Sequence, residues 1–199
     1  IGLGIPAEPL FRSMNLYIDS CMKIKYMFPK AHAAAYVIAA MRLAWYKLYR
    51  PLEYYATYMT VRGEDIDTVS VLQGRAAVKA KMKEIDEKMK TKQATAKEEG
   101  TFTSLQVINE MLARGIEVLP IDIYKSSANK YTIEDGKIRL PFSALSGCGG
   151  AAAQGLEDAR NDGKGEFLSI EEVQLRSGAP KSIIAALEES GAFSTLPKT

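Results

Sequence analysis

Residues 145–160 read LSGCGGAAAQGLEDAR, and this stretch does most to decide the fold. Three glycines closely follow Leu145 and predict a tight turn, because glycine adopts backbone angles that other residues avoid. The small or apolar residues after the turn recur at helical spacing and predict a short helix with one inward face. They are Ala152, Leu156 and Ala159.

This pattern is typical of a helix-hairpin-helix. Its turn, with the N-terminus of the next helix, would aim backbone amides at one phosphate of a nucleic acid. We therefore predict a backbone-binding site that does not depend on base sequence. Its residues are Ser146, Gly147, Gly149 and Gly150. The alternative is a glycine-rich turn that only joins two packed helices.

Residues 176–193, RSGAPKSIIAALEESGAF, repeat this order of turn and short helix, with an imperfect turn at 177–180. The repeat favours a tandem module in which one hairpin binds and the other packs. Residues 143–199 carry five basic and eight acidic side chains, a net charge of −3. This charge argues against a strong autonomous DNA binder, so backbone amides would have to supply the attraction.

A second candidate site lies near the N-terminus, where residues 1–62 carry a net charge of +5. Cations and aromatic rings alternate at a predicted helix junction, which suits a triphosphate and a stacked base. The residues are Lys23, Lys25, Tyr26, Met27, Phe28, Lys30 and His32. The alternative is a capped helix with solvated lysines.

Hydrophobic spacing and proline positions predict a mostly helical chain with a small β-hairpin. The predicted helices are 17–27, 32–49, 53–61, 75–92 and 102–113. Residues 62–68 are predicted to be weakly ordered, and 95–100 to form a linker. Alternation within 118–142, interrupted by Asp135-Gly136, predicts the β-hairpin. Short helices with glycine-rich turns follow from Ala144.

The composition of the 199 residues is that of an ordinary globular protein. No apolar run reaches the ~20 residues of a membrane span, and no cleavable signal is recognisable, so we expect a cytoplasmic protein. Cys21, Cys148 and a single histidine do not form a zinc-binding pattern, so neither metal nor redox chemistry is expected. The first residue is Ile1, which indicates a piece of a longer protein.

Residues 28–36, FPKAHAAAY, with Ala44, Lys47 and Pro51, resemble the fingers signature of bacterial family C replicative polymerases, the DNA polymerase III alpha subunits. Residues 54–62, YYATYMTVR, followed by Asp65 and Asp67, resemble the PolC type rather than the DnaE type. The similarity continues to Pro197. The quoted matches are 94–98, 121–126, 141–142, 165–169 and 196–197.

The resemblance implies four segments: a displaced N-terminal piece (1–15), partial fingers and a helical connector (16–117), a small β connector (118–142), and a tandem helix-hairpin-helix module (143–199). It implies that Lys25, Tyr26, Phe28, Lys30 and His32 bind the incoming deoxynucleoside triphosphate. It also implies Mg²⁺ in the intact polymerase, held by aspartates of an upstream palm domain. This chain lacks that domain, so no catalytic or metal-binding residue is expected in it.

The expected function is therefore nucleotide positioning and duplex binding within template-directed DNA synthesis, with no activity of the segment alone. The implied partners are primer-template duplex, deoxynucleoside triphosphate and the remainder of the polymerase. Sliding-clamp binding is not expected, because the family's clamp-binding peptide does not follow Leu196-Pro197. One alternative is a stand-alone, non-enzymatic helix-hairpin-helix DNA-binding protein. Another is a chain that retains only the packing and binds nothing.

Overall fold

A computed structural model describes residues 7–23, 29–194 and 196, with side chains from residue 14 onward. The chain divides into two compact units, residues 1–45 and 46–199. The four-segment division inferred from sequence stays a prediction. Among the described residues, no helix is both long and apolar enough to cross a membrane.

The first unit contains helix α1 (Ala7–Lys23) and most of helix α2 (Lys30–Tyr49). Helix α1 begins ten residues before the predicted start at Tyr17. Pro9 is compatible with this start because it lies in the first turn, where an amide has no intrahelical partner. The predicted end of α1 at Met27 lies outside the described residues. The prediction for α2 is confirmed, and none of its described residues is buried.

The second unit opens with four helices: α3 (Pro51–Val61), α4 (Thr68–Gln73), α5 (Arg75–Lys90) and α6 (Ala96–Ala113). A 3₁₀ turn at Gly63–Asp65 joins α3 to α4, in the stretch that was expected to be weakly ordered. Helices α5 and α6 pack together, and an ion pair of 2.7 Å between Lys88 and Glu98 joins them.

The predicted linker at 95–100 is wrong, because α6 already begins at Ala96. The Thr95 hydroxyl accepts a hydrogen bond from the Glu98 amide at 3.2 Å. The Glu98 carboxylate in turn accepts one from the Thr95 amide at 2.8 Å. This reciprocal capping box satisfies two amides that would otherwise lack a partner at the start of the helix.

Three short strands follow: β1 (Val118–Leu119), β2 (Thr132–Glu134) and β3 (Lys137–Arg139). Strands β2 and β3 form the predicted antiparallel hairpin, and Asp135 and Gly136 both have positive φ, at 49° and 77°. Strand β1 pairs in parallel with β3, which gives the order β1-β3-β2. A mostly α fold with a small β-hairpin is therefore confirmed.

The chain ends in a 3₁₀ turn (Phe142–Ala144) and three helices, α7 (Gly150–Arg160), α8 (Ile170–Ser177) and α9 (Lys181–Glu189). A continuous apolar core runs through the second unit. Its fully buried members include Tyr55 and Met59 of α3, Ile108 of α6, and Leu156 and Leu187 of the C-terminal helices. This core holds the C-terminal hairpins against α3 and the sheet.

Candidate nucleic-acid interface

The loop of the first hairpin, residues 145–149, is a compact turn between the 3₁₀ turn and α7. The Cys148 amide donates to the Leu145 carbonyl at 3.0 Å and closes the turn. Gly147 has φ of 82°, a conformation that strains any residue with a side chain. Gly149 has φ of −70°, so its small size, not its backbone freedom, distinguishes it. Positive φ is thus required at Gly147 and not at Gly149.

The N-terminus of α7 presents unpaired backbone donors next to this loop. Gly149 caps the helix without a side-chain hydrogen bond. The first intrahelical bond runs from the Ala153 amide to the Gly149 carbonyl at 3.0 Å. The amides of residues 150–152 therefore have no partner within the helix. Ser146, Gly147, Gly149 and Gly150 are all exposed beside them, an arrangement that can accept an anion.

Apolar packing holds the loop on the side that faces the protein core. Cys148 is buried, and that burial raises the pKa of its thiol. A side-chain carbon added at Gly147 would lie 3.9 Å from the Cδ1 atom of Ile183 in α9. The loop of the first hairpin therefore lies near a helix of the second hairpin.

The turn of the second hairpin, residues 178–180, has fewer free donors than the first. The Gly178 amide donates to the Gln174 carbonyl at 3.0 Å. The Ala179 amide donates to the Ser177 hydroxyl at 3.2 Å, and Ala179 itself is buried. Pro180 has no amide hydrogen. This turn resembles a packing element more than an anion site.

Two arginines of the C-terminal region, which sequence reasoning counted only as charge, have structural contacts. Arg176 donates to Asp162 at 2.6 Å and to the Ala159 carbonyl at 2.7 Å. Its guanidinium also lies 4.3 Å from the centre of the Phe167 ring. Arg160 donates to the Ser126 carbonyl at 2.6 Å. These side chains fix the α7–α8 connection and the loop before β2.

Helix α7 is also held by an acid on its inner side. The Glu157 carboxylate accepts a hydrogen bond from the Ala128 amide at 2.7 Å. The Phe142 amide donates to the Ser127 carbonyl at 2.9 Å, from the other side of the same loop. The hairpin is therefore held on both of its arms by hydrogen bonds to the backbone of residues 127 and 128.

Of the residues predicted to bind nucleotide, Lys25, Tyr26 and Phe28 lie outside the described residues. Lys30 is the first residue of α2, and it and His32 are exposed. The His32 ring meets the Tyr36 ring edge-on, with centroids 4.6 Å apart. Their role in nucleotide binding stays a prediction.

Within residues 7–23, 29–194 and 196, no three or more histidine, cysteine, aspartate or glutamate side chains are grouped to hold a metal ion.

The fold and the hairpin geometry define the class of this region. A family model described as a helix-hairpin-helix motif matches residues 115–199, which include both hairpins and the sheet. The C-terminal part of the chain is thus a helix-hairpin-helix module.

Sequence relatives match more than nine-tenths of this chain. A DNA polymerase III PolC-type from Listeria innocua serovar 6a is 46% identical over 181 residues, which cover 91% of this chain and 12% of that protein. Its counterpart from Clostridium perfringens is 44% identical over 193 residues, 96% of this chain and 13% of the relative. That from Pediococcus pentosaceus is 44% identical over 201 residues, 98% of this chain and 14% of the relative.

The chain is therefore homologous to one segment of the PolC-type DNA polymerases III. It spans only 12% to 14% of the length of these relatives.

Proposed function

We propose that this chain is the duplex-binding segment of a PolC-type DNA polymerase. The hairpin at 145–150 binds one backbone phosphate of the primer-template duplex through amides, without reading bases. The observation that carries the proposal is the uncapped, exposed N-terminus of α7 beside the Gly147 turn, inside a region that matches the helix-hairpin-helix family model.

The second part of the proposal concerns the incoming deoxynucleoside triphosphate. Lys25, Tyr26, Phe28, Lys30 and His32 bind it, with Lys30 and His32 toward the triphosphate or the template and Tyr26 packing on the nascent base pair. The exposure of Lys30 and His32 at the helix N-terminus supports this role. Catalysis itself belongs to the complete polymerase with its magnesium ions, and the segment alone is inactive.

Binding of the chain to a fluorescently labelled duplex, measured by anisotropy at several salt concentrations, tests the first part. We expect log affinity to fall linearly with log salt, because bound cations leave the DNA. Affinity should be the same for duplexes of unrelated sequence. A chain that shows no salt-dependent binding would contradict the proposal and would leave a module that only packs.

A matched pair of acidic substitutions locates the contact. Ala151 and Ser182 are exposed residues at the second position of α7 and of α9. A glutamate at either position adds the same charge and interacts favourably with its helix N-terminus. We expect Ala151→Glu to weaken duplex binding at least tenfold, and Ser182→Glu to change it less than twofold. Equal losses would indicate a general charge effect and no site at the first hairpin.

Primer extension tests the remaining part. The isolated chain should extend a primer no faster than the background without protein. Robust extension would show that the segment holds catalytic groups of its own.

A further inference from the structure

A cleft separates the hairpin from the turn that follows α3. Its narrower part has a volume of about 620 Å³, within the ~300–1,000 Å³ typical of ligand sites. One wall is formed by residues 60–65, and the other by the hairpin with Gly149 and Gly150. A wider part, about 1000 Å³, continues past residues 66–69 and shares the hairpin wall. The proposed phosphate site thus faces an opposite wall across the cleft.

Arg62 brings a positive charge to that opposite wall. It is the C-cap residue of α3, and 58% of its side-chain surface is exposed. Its one described ion pair, with Asp65, is long at 3.4 Å. Exposed pairs of this kind contribute little to stability, so the guanidinium can turn to a better acceptor. The α7 amides and Arg62 both favour an anion in the cleft.

We propose that Arg62 binds the same nucleic-acid strand that the hairpin holds, so that one sugar-phosphate segment lies between the two walls. This inference rests on the proposed function and adds one contact to it. Glu64 and Asp65 line the same cleft and repel phosphate. This repulsion favours a position of the strand in which its phosphate lies near Arg62 and α7.

Arg50 offers a matched control for Arg62, because the two residues flank the two ends of α3. Arg50 is 64% exposed and pairs with Glu53, three residues on, at 3.3 Å. Asp65 is likewise three residues after Arg62. The described residues of the cleft do not include Arg50. Both substitutions to glutamine remove one exposed charge and one weak ion pair.

The experiment is duplex binding by the whole chain, again by anisotropy across a salt series. We expect Arg62→Gln to weaken binding about tenfold and to reduce the salt slope by about 1, the loss of one phosphate contact. Arg50→Gln should change affinity less than twofold and leave the slope unchanged. Equal effects of the two substitutions would overturn the role of Arg62.

The outcomes separate this inference from the proposed function. If Ala151→Glu weakens binding and Arg62→Gln does not, the hairpin site is supported and the proposed role of Arg62 is wrong. If the unaltered chain binds no duplex, both are overturned.

Discussion

Gly155 of α7 lies directly against the carbonyl oxygen of Ser177 at the end of α8. A side-chain carbon at position 155 would stand 2.5 Å from that oxygen, well inside van der Waals contact. The neighbour is backbone, so no flexible side chain can move aside. The spacing of α7 and α8 therefore depends on the absence of a side chain at this position.

Gly155→Ala should destabilise the C-terminal module. The added methyl group forces α7 and α8 apart, and overpacking of this kind costs about 1–3 kcal/mol. Urea unfolding followed by circular dichroism gives the change in the free energy of unfolding. Gly149→Ala is the control, since no atom lies within 4 Å of its new carbon and φ is −70°. Equal stability of Gly155→Ala and the parent chain would show that the helices are not tightly packed there.

Gly149→Val should weaken duplex binding without unfolding the chain. The open space around Gly149 accommodates the side chain, which then stands in front of the α7 amides. We expect at least a tenfold loss of affinity in the anisotropy assay, with an unchanged circular dichroism spectrum. Full affinity with an intact spectrum would argue against the amide site.

Arg176→Met should lower the urea midpoint and leave the duplex contact of the first hairpin in place. Only 6% of the Arg176 side chain is exposed, and methionine cannot replace its bonds to Asp162 and the Ala159 carbonyl. Arg50→Met, at a largely exposed position with one weak pair, is the control. A midpoint unchanged by Arg176→Met would mean that the α7–α8 connection holds without this arginine.

Stability should decrease at acid pH through Glu134. Arg139 and then Lys125 hold the pKa of this carboxyl at about 2, below the ordinary 4.5. Because the folded-state pKa is lowered, the stabilisation is fully present above about 4.5 and is lost as pH falls towards 2. Urea midpoints between pH 6 and pH 2 should fall less steeply in Glu134→Gln than in the parent chain.

Glu188→Gln is the comparison for that series. Glu188 lies exposed near the end of α9 and has no described ion pair. The urea midpoint of Glu188→Gln should fall with decreasing pH as steeply as that of the parent chain. If the urea midpoints of the parent chain, Glu134→Gln and Glu188→Gln decrease in parallel as pH falls, Glu134 is not a source of the acid dependence.

Lys30→Ala, introduced into a complete PolC-type polymerase, should raise the apparent KM for deoxynucleoside triphosphate. The lysine is exposed at the start of α2, where it can meet the phosphates. Steady-state primer extension measures KM and kcat, and Lys79→Ala, at an exposed position of α5, is the control. Unchanged KM and kcat would exclude Lys30 from the pocket.

The elements that the sequence predicted well are those set by local signals. Pro51 limited α2, Asp135-Gly136 marked the hairpin, and Gly147 marked the turn before α7. Each signal acts within a few residues, so it can be read without the fold. Thr95 and Glu98 also formed such a signal, a capping box, but the polar stretch around them was interpreted as a linker.

The second wall of the cleft could not be predicted in this way. Arg62, Tyr131 and Gly149 are far apart in the sequence, and only packing of α3, the sheet and the hairpin brings them to one cleft. Arg176 was counted only in the net charge, since its burial depends on Asp162 and Phe167 across the connection. Exposure and long-range contact are properties of the fold and leave no local pattern.

The closeness of Gly147 to Ile183 bears on how small a fragment could keep the geometry of the first hairpin. The loop with the free amides lies near a helix from the other hairpin, whose own turn has few donors left. A graft that carries only residues 142–160 would lack that neighbour. In the proposed function the second hairpin would then contribute by packing beside the first, without a phosphate contact of its own.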